Sequence, residues 1–120
     1  MPTIRIPAPC DFINSNQRLH PQAKAKLTRQ WREAARKAAQ GTGPQPTPAH
    51  LIAYITKPRG GRWDPNNWAG TSKACVDGLV DAGVFPDDSW DLIIGPDHRR
   101  AGTGPAQLTI TITPWTGEQP

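Results

Sequence analysis

The 120-residue chain reads as a single α/β (α+β) domain, residues 1–120. It has two layers: a mixed β-sheet with two helices on one face, in the order β-α-β-α-β-β. Three observations predict this. Segments that alternate with period two stand at the two ends, residues 3–6 and 107–113. Two segments with helical apolar spacing lie between them, about 22–40 and a second one ending at Gly83. A run that is apolar on both faces, residues 51–56, separates the helices, as a central strand does.

The first strand, Thr3-Ile4-Arg5-Ile6, is ended by Pro7 and Pro9. Residues 8–21 form a polar loop, in which Asn16 and Arg18 either hold phosphate oxygens or serve turn chemistry. The first helix starts at Pro21 and stops at Gly41. Leu27, Trp31, Ala34, Ala35 and Ala38 share one of its faces, whereas Lys26, Arg29, Arg32, Arg36 and Lys37 share the other. The second helix begins with Asp64 as N-cap and Pro65 in the first turn, with Thr71 or Ser72 as a second start. Ala74, Cys75, Val76, Leu79 and Val80 form its apolar stripe, and Lys73, Asp77 and Asp81 recur every fourth residue on one face. A turn at 84–88 leads to a strand at 91–94. The last strand carries Leu108, Ile110 and Ile112 on one face.

The net charge of +4 is unevenly placed. Residues 22–40 hold six basic side chains and one acid, and residues 74–97 hold six aspartates and no Lys or Arg. A basic surface beside an acidic centre suits a metal-dependent enzyme acting on a polyanion; the alternative is a solvated face. Cys10 and Cys75 form no disulfide framework, which implies reduced thiols in a cytosolic compartment. His20, His50 and His98 lack zinc-ligand spacing. No apolar run is long enough to span a membrane, and Met1-Pro2-Thr3 opens no signal-peptide pattern.

The chemistry centres on Arg62-Trp63-Asp64-Pro65-Asn66-Asn67-Trp68, read with Lys73 and Asp87-Asp88. Hard divalent ions take oxygen ligands, and Asp64, Asp87 and Asp88 supply them if the turn after the second helix returns to that helix's start. The competing roles are helix capping for Asp64 and a polar turn for Asp87-Asp88. Trp63 and Trp68 either stack on an exposed base or support the loop from inside.

The block Arg62-x-Asp64-x-x-Asn67, followed by Lys73-Ala74-x-x-Asp77-x-Leu79-x-Asp81-Ala82-Gly83-Val84-x-x-Asp87-Asp88, resembles the RusA-like Holliday-junction resolvases. These are small endonucleases common in phages and prophages. Asn14-Ser15-Asn16-x-Arg18 is similar to that family's early Asn-rich motif, and residues 108–112 to its last strand. The resemblance implies a dimeric enzyme that uses Mg²⁺, or Mn²⁺ in its place, and nicks opposed strands of a four-way DNA junction. Asp64 then matches the first essential acid, Asn67 the asparagine that follows, Lys73 the catalytic lysine, and Asp88 the late essential acid, with Asp87 beside it. Two departures stand out. Asn66 occupies the place of a second aspartate, so one negative charge is missing, which Asp77 replaces if it faces the site. Three extra residues also separate Asn67 from Lys73.

The mechanism expected on this reading is metal-assisted phosphodiester hydrolysis, with the ion on Asp64, Asp87 and Asp88 and Lys73 stabilising the developing charge. Arg29, Arg32, Arg36, Arg62, Arg99 and Arg100, with Asn16, Arg18 and Asn67, are the expected DNA contacts. The partners expected are branched DNA and a second copy of the chain, with no membrane and no small-molecule cofactor. The setting is the cytoplasm of a bacterial host or a phage-infected cell. Two other readings come from different classes: a DNA-binding accessory with a lapsed site, because Asn66 breaks the acid pair, and an interaction domain whose acidic turn binds a protein.

Overall fold

The computed structural model describes residues 2–13, 20–59 and 68–117. The elements are β1 (Thr3–Pro7), α1 (Pro21–Ala38), β2 (Ala49–Lys57), α2 (Ala69–Asp81), β3 (Ile93–Thr103) and β4 (Gln107–Pro114). They form one four-stranded mixed sheet in the order β1-β4-β2-β3. β4 pairs antiparallel with β1 and with β2, and β2 pairs parallel with β3. A parallel pair needs a crossover, and α2 supplies it. The predicted architecture, two helices and a mixed sheet in the order β-α-β-α-β-β, is the one observed.

Alternation along each strand sends one set of side chains to the helices. Ile4 and Ile6 of β1, Leu51, Ala53 and Ile55 of β2, and Leu108, Ile110 and Ile112 of β4 are all buried in one core with Trp31, Ala35, Cys75 and Leu79 of the helices. Trp31 is the largest fully buried side chain. Its indole N–H donates to the Asp11 carbonyl at 2.9 Å, and its ring stacks on Phe12 at 5.2 Å. Phe12 in turn meets Trp68 edge-on at 5.3 Å. Thr71 Oγ1 accepts from the Ile13 N–H at 2.8 Å and donates to the Ile13 carbonyl at 3.1 Å, which ties the segment after β1 to the first turn of α2.

Helices α1 and α2 pack where Gly78 has no side chain. A Cβ there would run into the Arg32 carbonyl and sit 2.7 Å from the Ala35 Cβ and 2.9 Å from the Arg36 nitrogen. Beside this contact the Arg32 guanidinium forks onto Asp81, with Nε–Oδ2 at 2.6 Å and Nη2–Oδ1 at 2.8 Å. The guanidinium holds the Asp81 carboxyl below its ordinary range. The pair therefore contributes above the unfolded pKa of about 4 and is lost as pH falls through the lower folded value. Both groups are partly exposed, so that contribution is small.

Three sequence expectations need correcting. The strand expected at 91–94 begins at Ile93, because the Leu92 and Ile93 N–H groups both turn back to the Ser89 carbonyl. It then runs on through Gly95-Pro96 to Thr103, carrying Arg99 and Arg100, beyond the expected end at residue 94. Gly95 makes this continuation work. It has φ +97, and a Cβ on it would lie 2.7 Å from the Leu51 carbonyl oxygen, at the point where the β2–β3 register shifts. The second helix starts at Ala69 with Trp68 in the cap position and no side-chain cap, so Asp64 does not cap α2. Asp64 itself lies outside the described residues. The first helix ends at Ala38 and is capped by His20, whose Nδ1 accepts the Gln22 N–H at 3.1 Å.

Cys10 and Cys75 are both free thiols. Cys75 is buried, and desolvation pushes its pKa far up. Native protein should therefore present at most Cys10 to a thiol reagent at pH 8, with Cys75 titrating only in denaturant. Two rapidly reacting thiols in the native state would contradict the position of α2.

Candidate active site

The turn that follows α2 comes back to the helix's first half. Asp88 reaches the Lys73 ammonium, although 15 residues separate them, and Asp77 lies one helical turn on with Oδ1 2.9 Å from Lys73 Nζ. The chain achieves this because α2 ends at Asp81 and the Val84 N–H bonds the Leu79 carbonyl. Val84 and Phe85 are then buried in the core, which turns the backbone along the side of the helix. Asp87 Oδ1 accepts the Asp88 N–H at 2.7 Å, a local turn that fixes the Asp88 backbone.

The electrostatics follow from this placement. The hydrogen bonds that Lys73 donates to Asp88 and then to Asp77 raise its pKa, so the ammonium is protonated. The same ammonium lowers the Asp88 pKa, so that carboxylate is ionised. Lys73 is 62 % exposed, and an exposed ion pair contributes only about 0–1 kcal/mol. Stability does not explain why one lysine and two aspartates meet here, with Asp87 next along the turn. The group carries an excess of negative charge, which suits a cation.

Lys73 and Asp88 open onto a cleft of about 210 Å³ between α2, the turn and β3. Ile93, Gly95, Pro96 and His98 form the β3 wall. His98 Nε2 lies 2.8 Å from Ser72 Oγ, and Ser72 is anchored to the Ala69 carbonyl at 3.2 Å. Neither Ser72 nor His98 was legible as a site residue. They are 26 residues apart on a helix and a strand, and no local spacing links them. His98 pairs in register with Ala53, which puts it on the helix side of the sheet. Trp90 was missed too. It is 84 % exposed, two residues beyond Asp88 on the same turn.

The other expected residues divide three ways. Asp64, Asn67, Arg62, Asn16 and Arg18 lie outside the described residues, as do Trp63 and Asn66. Arg100 pairs in register with Ile55 and shares the helix-side face with His98, whereas Arg99 pairs with Tyr54 and falls on the opposite face of the sheet. Arg29, Arg32 and Arg36 sit on α1 and none of them lines the cleft, although Arg32, bound to Asp81, lies close enough to Asp77 and Asp88 to feel their charge. Trp68 is buried against Phe12 with the Lys57 ammonium 5.6 Å from its ring centroid, so it belongs to the core and does not offer a stacking face.

Among the described residues no three His, Cys, Asp or Glu side chains converge tightly enough to hold an ion on their own. The carboxylates at the mouth of the cleft nevertheless offer oxygen donors, with the His98 imidazole on the far wall. Mg²⁺ is ordinarily held by one or two carboxylates, with water and substrate phosphate completing its shell. Asp88 and its neighbour Asp87 fit that requirement, and the Lys73 ammonium already marks a cation position between Asp77 and Asp88. No family model matches the chain, and a search of curated proteins likewise returned no match.

Proposed function

We propose that the chain is a Mg²⁺-dependent, structure-specific DNA endonuclease of the RusA-like kind, resolving four-way junctions by paired nicks. The observation that carries this reading is the return of Asp88 to Lys73, beside Asp77. It joins in space two of the residues that the resemblance makes essential, Lys73 and Asp88, while Asp64 lies outside the described residues.

Asp88 and Asp87, with Asp64, would hold the ion. When bound, Mg²⁺ polarises a phosphate oxygen and lowers the pKa of a water molecule. Lys73 supplies a fixed positive charge beside the phosphate as charge develops on it. It is poised for this because Asp77 and Asp88 hold the ammonium in place, and a phosphate oxygen can take over either bond. His98, oriented by Ser72, adds a polar wall on the β3 side. Trp90 offers an exposed indole on which an unpaired base at the branch can stack, worth about 1–3 kcal/mol. Two opposed strands require two clefts, so the active form is a homodimer. No helix among the described residues is long and apolar enough to cross a membrane, and the setting we propose is the cytoplasm of a bacterial or phage-infected cell.

The second reading is a DNA-binding accessory with a weakened metal site. It is favoured by Asn66 in place of an acid and by the absence, among the described residues, of a complete ion-binding cluster. Incubation of a synthetic four-way junction with the protein, in Mg²⁺ and in EDTA, separates the two. The endonuclease nicks only in Mg²⁺ and spares a linear duplex. The accessory retards the junction in a gel and leaves it whole in both buffers.

A further inference from the structure

The basic surface of α1 is two surfaces. On the flank toward α2, Arg32 is committed to Asp81 by two hydrogen bonds, and Arg36 forks onto Glu33 at 2.9 and 2.6 Å. The Arg36–Glu33 pair is within α1 and neutralises both members. Lys26, Arg29 and Lys37 are different. All three are exposed, and among the described residues no acid pairs with any of them. They line a shallow groove of about 370 Å³ whose far wall includes Pro9, just beyond β1.

The groove runs along a helix that cannot easily move, since Trp31 and Ala35 on its other side are fully buried. Eleven residues at 1.5 Å each place Lys37 about 16 Å along the axis from Lys26. A DNA strand advances about 3.4 Å per phosphate, so the lane spans roughly five phosphates of one strand. Among the described residues no aromatic side chain lines it, and Glu33 is the one acid that does. A lane of cations without aromatics suits the sugar–phosphate backbone and offers nothing to stack on bases. Like charges at i, i+3 spacing, as at Lys26 and Arg29, do not stabilise a helix, so the cluster has no role in holding the fold.

We propose that the Lys26–Arg29–Lys37 flank binds the phosphate backbone of a duplex DNA arm, on the side of α1 away from α2 and the Lys73–Asp88 cleft. Arg32 and Arg36 are not the DNA contacts of this helix; the first ties α1 to α2, and the second pairs with Glu33, the one acid among the described residues that line the groove, and offsets its charge. The inference rests on the reading of the protein as DNA-binding. It adds that an arm, and not the strand being cut, lies here.

The test is fluorescence anisotropy of a labelled linear duplex in EDTA over a range of salt, so that no nicking is read. Each phosphate neutralised contributes roughly −0.9 to the slope of log affinity against log salt. The K26A/R29A/K37A variant should flatten the slope by about 2.7 with an unchanged melting temperature. Glu33→Gln removes the acid that lines the groove and frees Arg36 beside it, and should steepen the slope by up to about 0.9. A wild-type slope in the folded triple variant overturns the proposal. So does a wild-type protein that does not bind the duplex, which would leave these cations to an acidic protein surface. Loss of junction nicking is a separate matter: a wild-type protein that binds duplex through this lane and never nicks sinks the endonuclease reading alone.

Discussion

Asp88→Asn should lower Mg²⁺-dependent junction nicking by about 10²-fold or more, while junction affinity in EDTA holds or rises. Asparagine keeps the shape of the side chain and one oxygen. What it removes is a full negative charge, and Mg²⁺ sheds water reluctantly unless such a charge draws it in. The ammonium of Lys73 also loses the partner that raises its pKa most. Binding improves for the same electrostatic reason, since one source of repulsion against phosphate is gone. The fold should be little changed, because Asp88 is partly exposed and its ion pair is with an exposed lysine. Nicking rates and gel-shift affinities on one preparation give both numbers. Near-normal nicking would remove Asp88 from the site, and loss of both binding and the melting transition would make it a structural residue.

Trp31→Ala should be the most damaging single change to the fold, costing about 3–5 kcal/mol. The indole is fully buried, stacks on Phe12 and donates to the Asp11 carbonyl, so truncation leaves a cavity and an acceptor without its donor. Phe12 also contacts Trp68 at the start of α2, which spreads the damage toward the cleft. At roughly 4 °C per kcal/mol for a chain of this size, the melting temperature should fall by about 12–20 °C. Trp31→Phe, which keeps the ring and loses the N–H, should cost much less. A Trp31→Ala melting temperature within about 4 °C of wild type would contradict the core described here.

The parts of this fold that were legible are those with a local cause. Leu108, Ile110 and Ile112 announce β4 because a one-sided strand alternates, and Trp31 and Ala35 fall on one helical face because of the helix period. Lys73 and Asp77 were readable as a pair for the same reason, being i, i+4. The parts that were not legible depend on a partner far along the chain. The continuation of β3 past Ile94 depends on β2 as the neighbouring strand and on the Leu51 backbone, which only a glycine can approach. Arg32 looks like a DNA contact until Asp81, 49 residues away, takes it. Ser72 and His98 meet through the same kind of tertiary accident of order, at a separation no motif encodes. Within the site, Asp87-Asp88 could be proposed from sequence, but its return to Lys73 depended on Val84 and Phe85 being buried, which is a property of the packed core.

The account stands most directly on whether two such clefts cut two opposed strands together. A supercoiled plasmid that extrudes a cruciform reads this in one gel, because paired nicks across the junction release linear DNA, whereas a lone nick gives an open circle. The account predicts linear product with wild-type protein in Mg²⁺, none in EDTA, and none from Asp88→Asn at the same concentration. Supercoiled plasmid that is bound and retarded yet never cut, in Mg²⁺ or Mn²⁺, would contradict it.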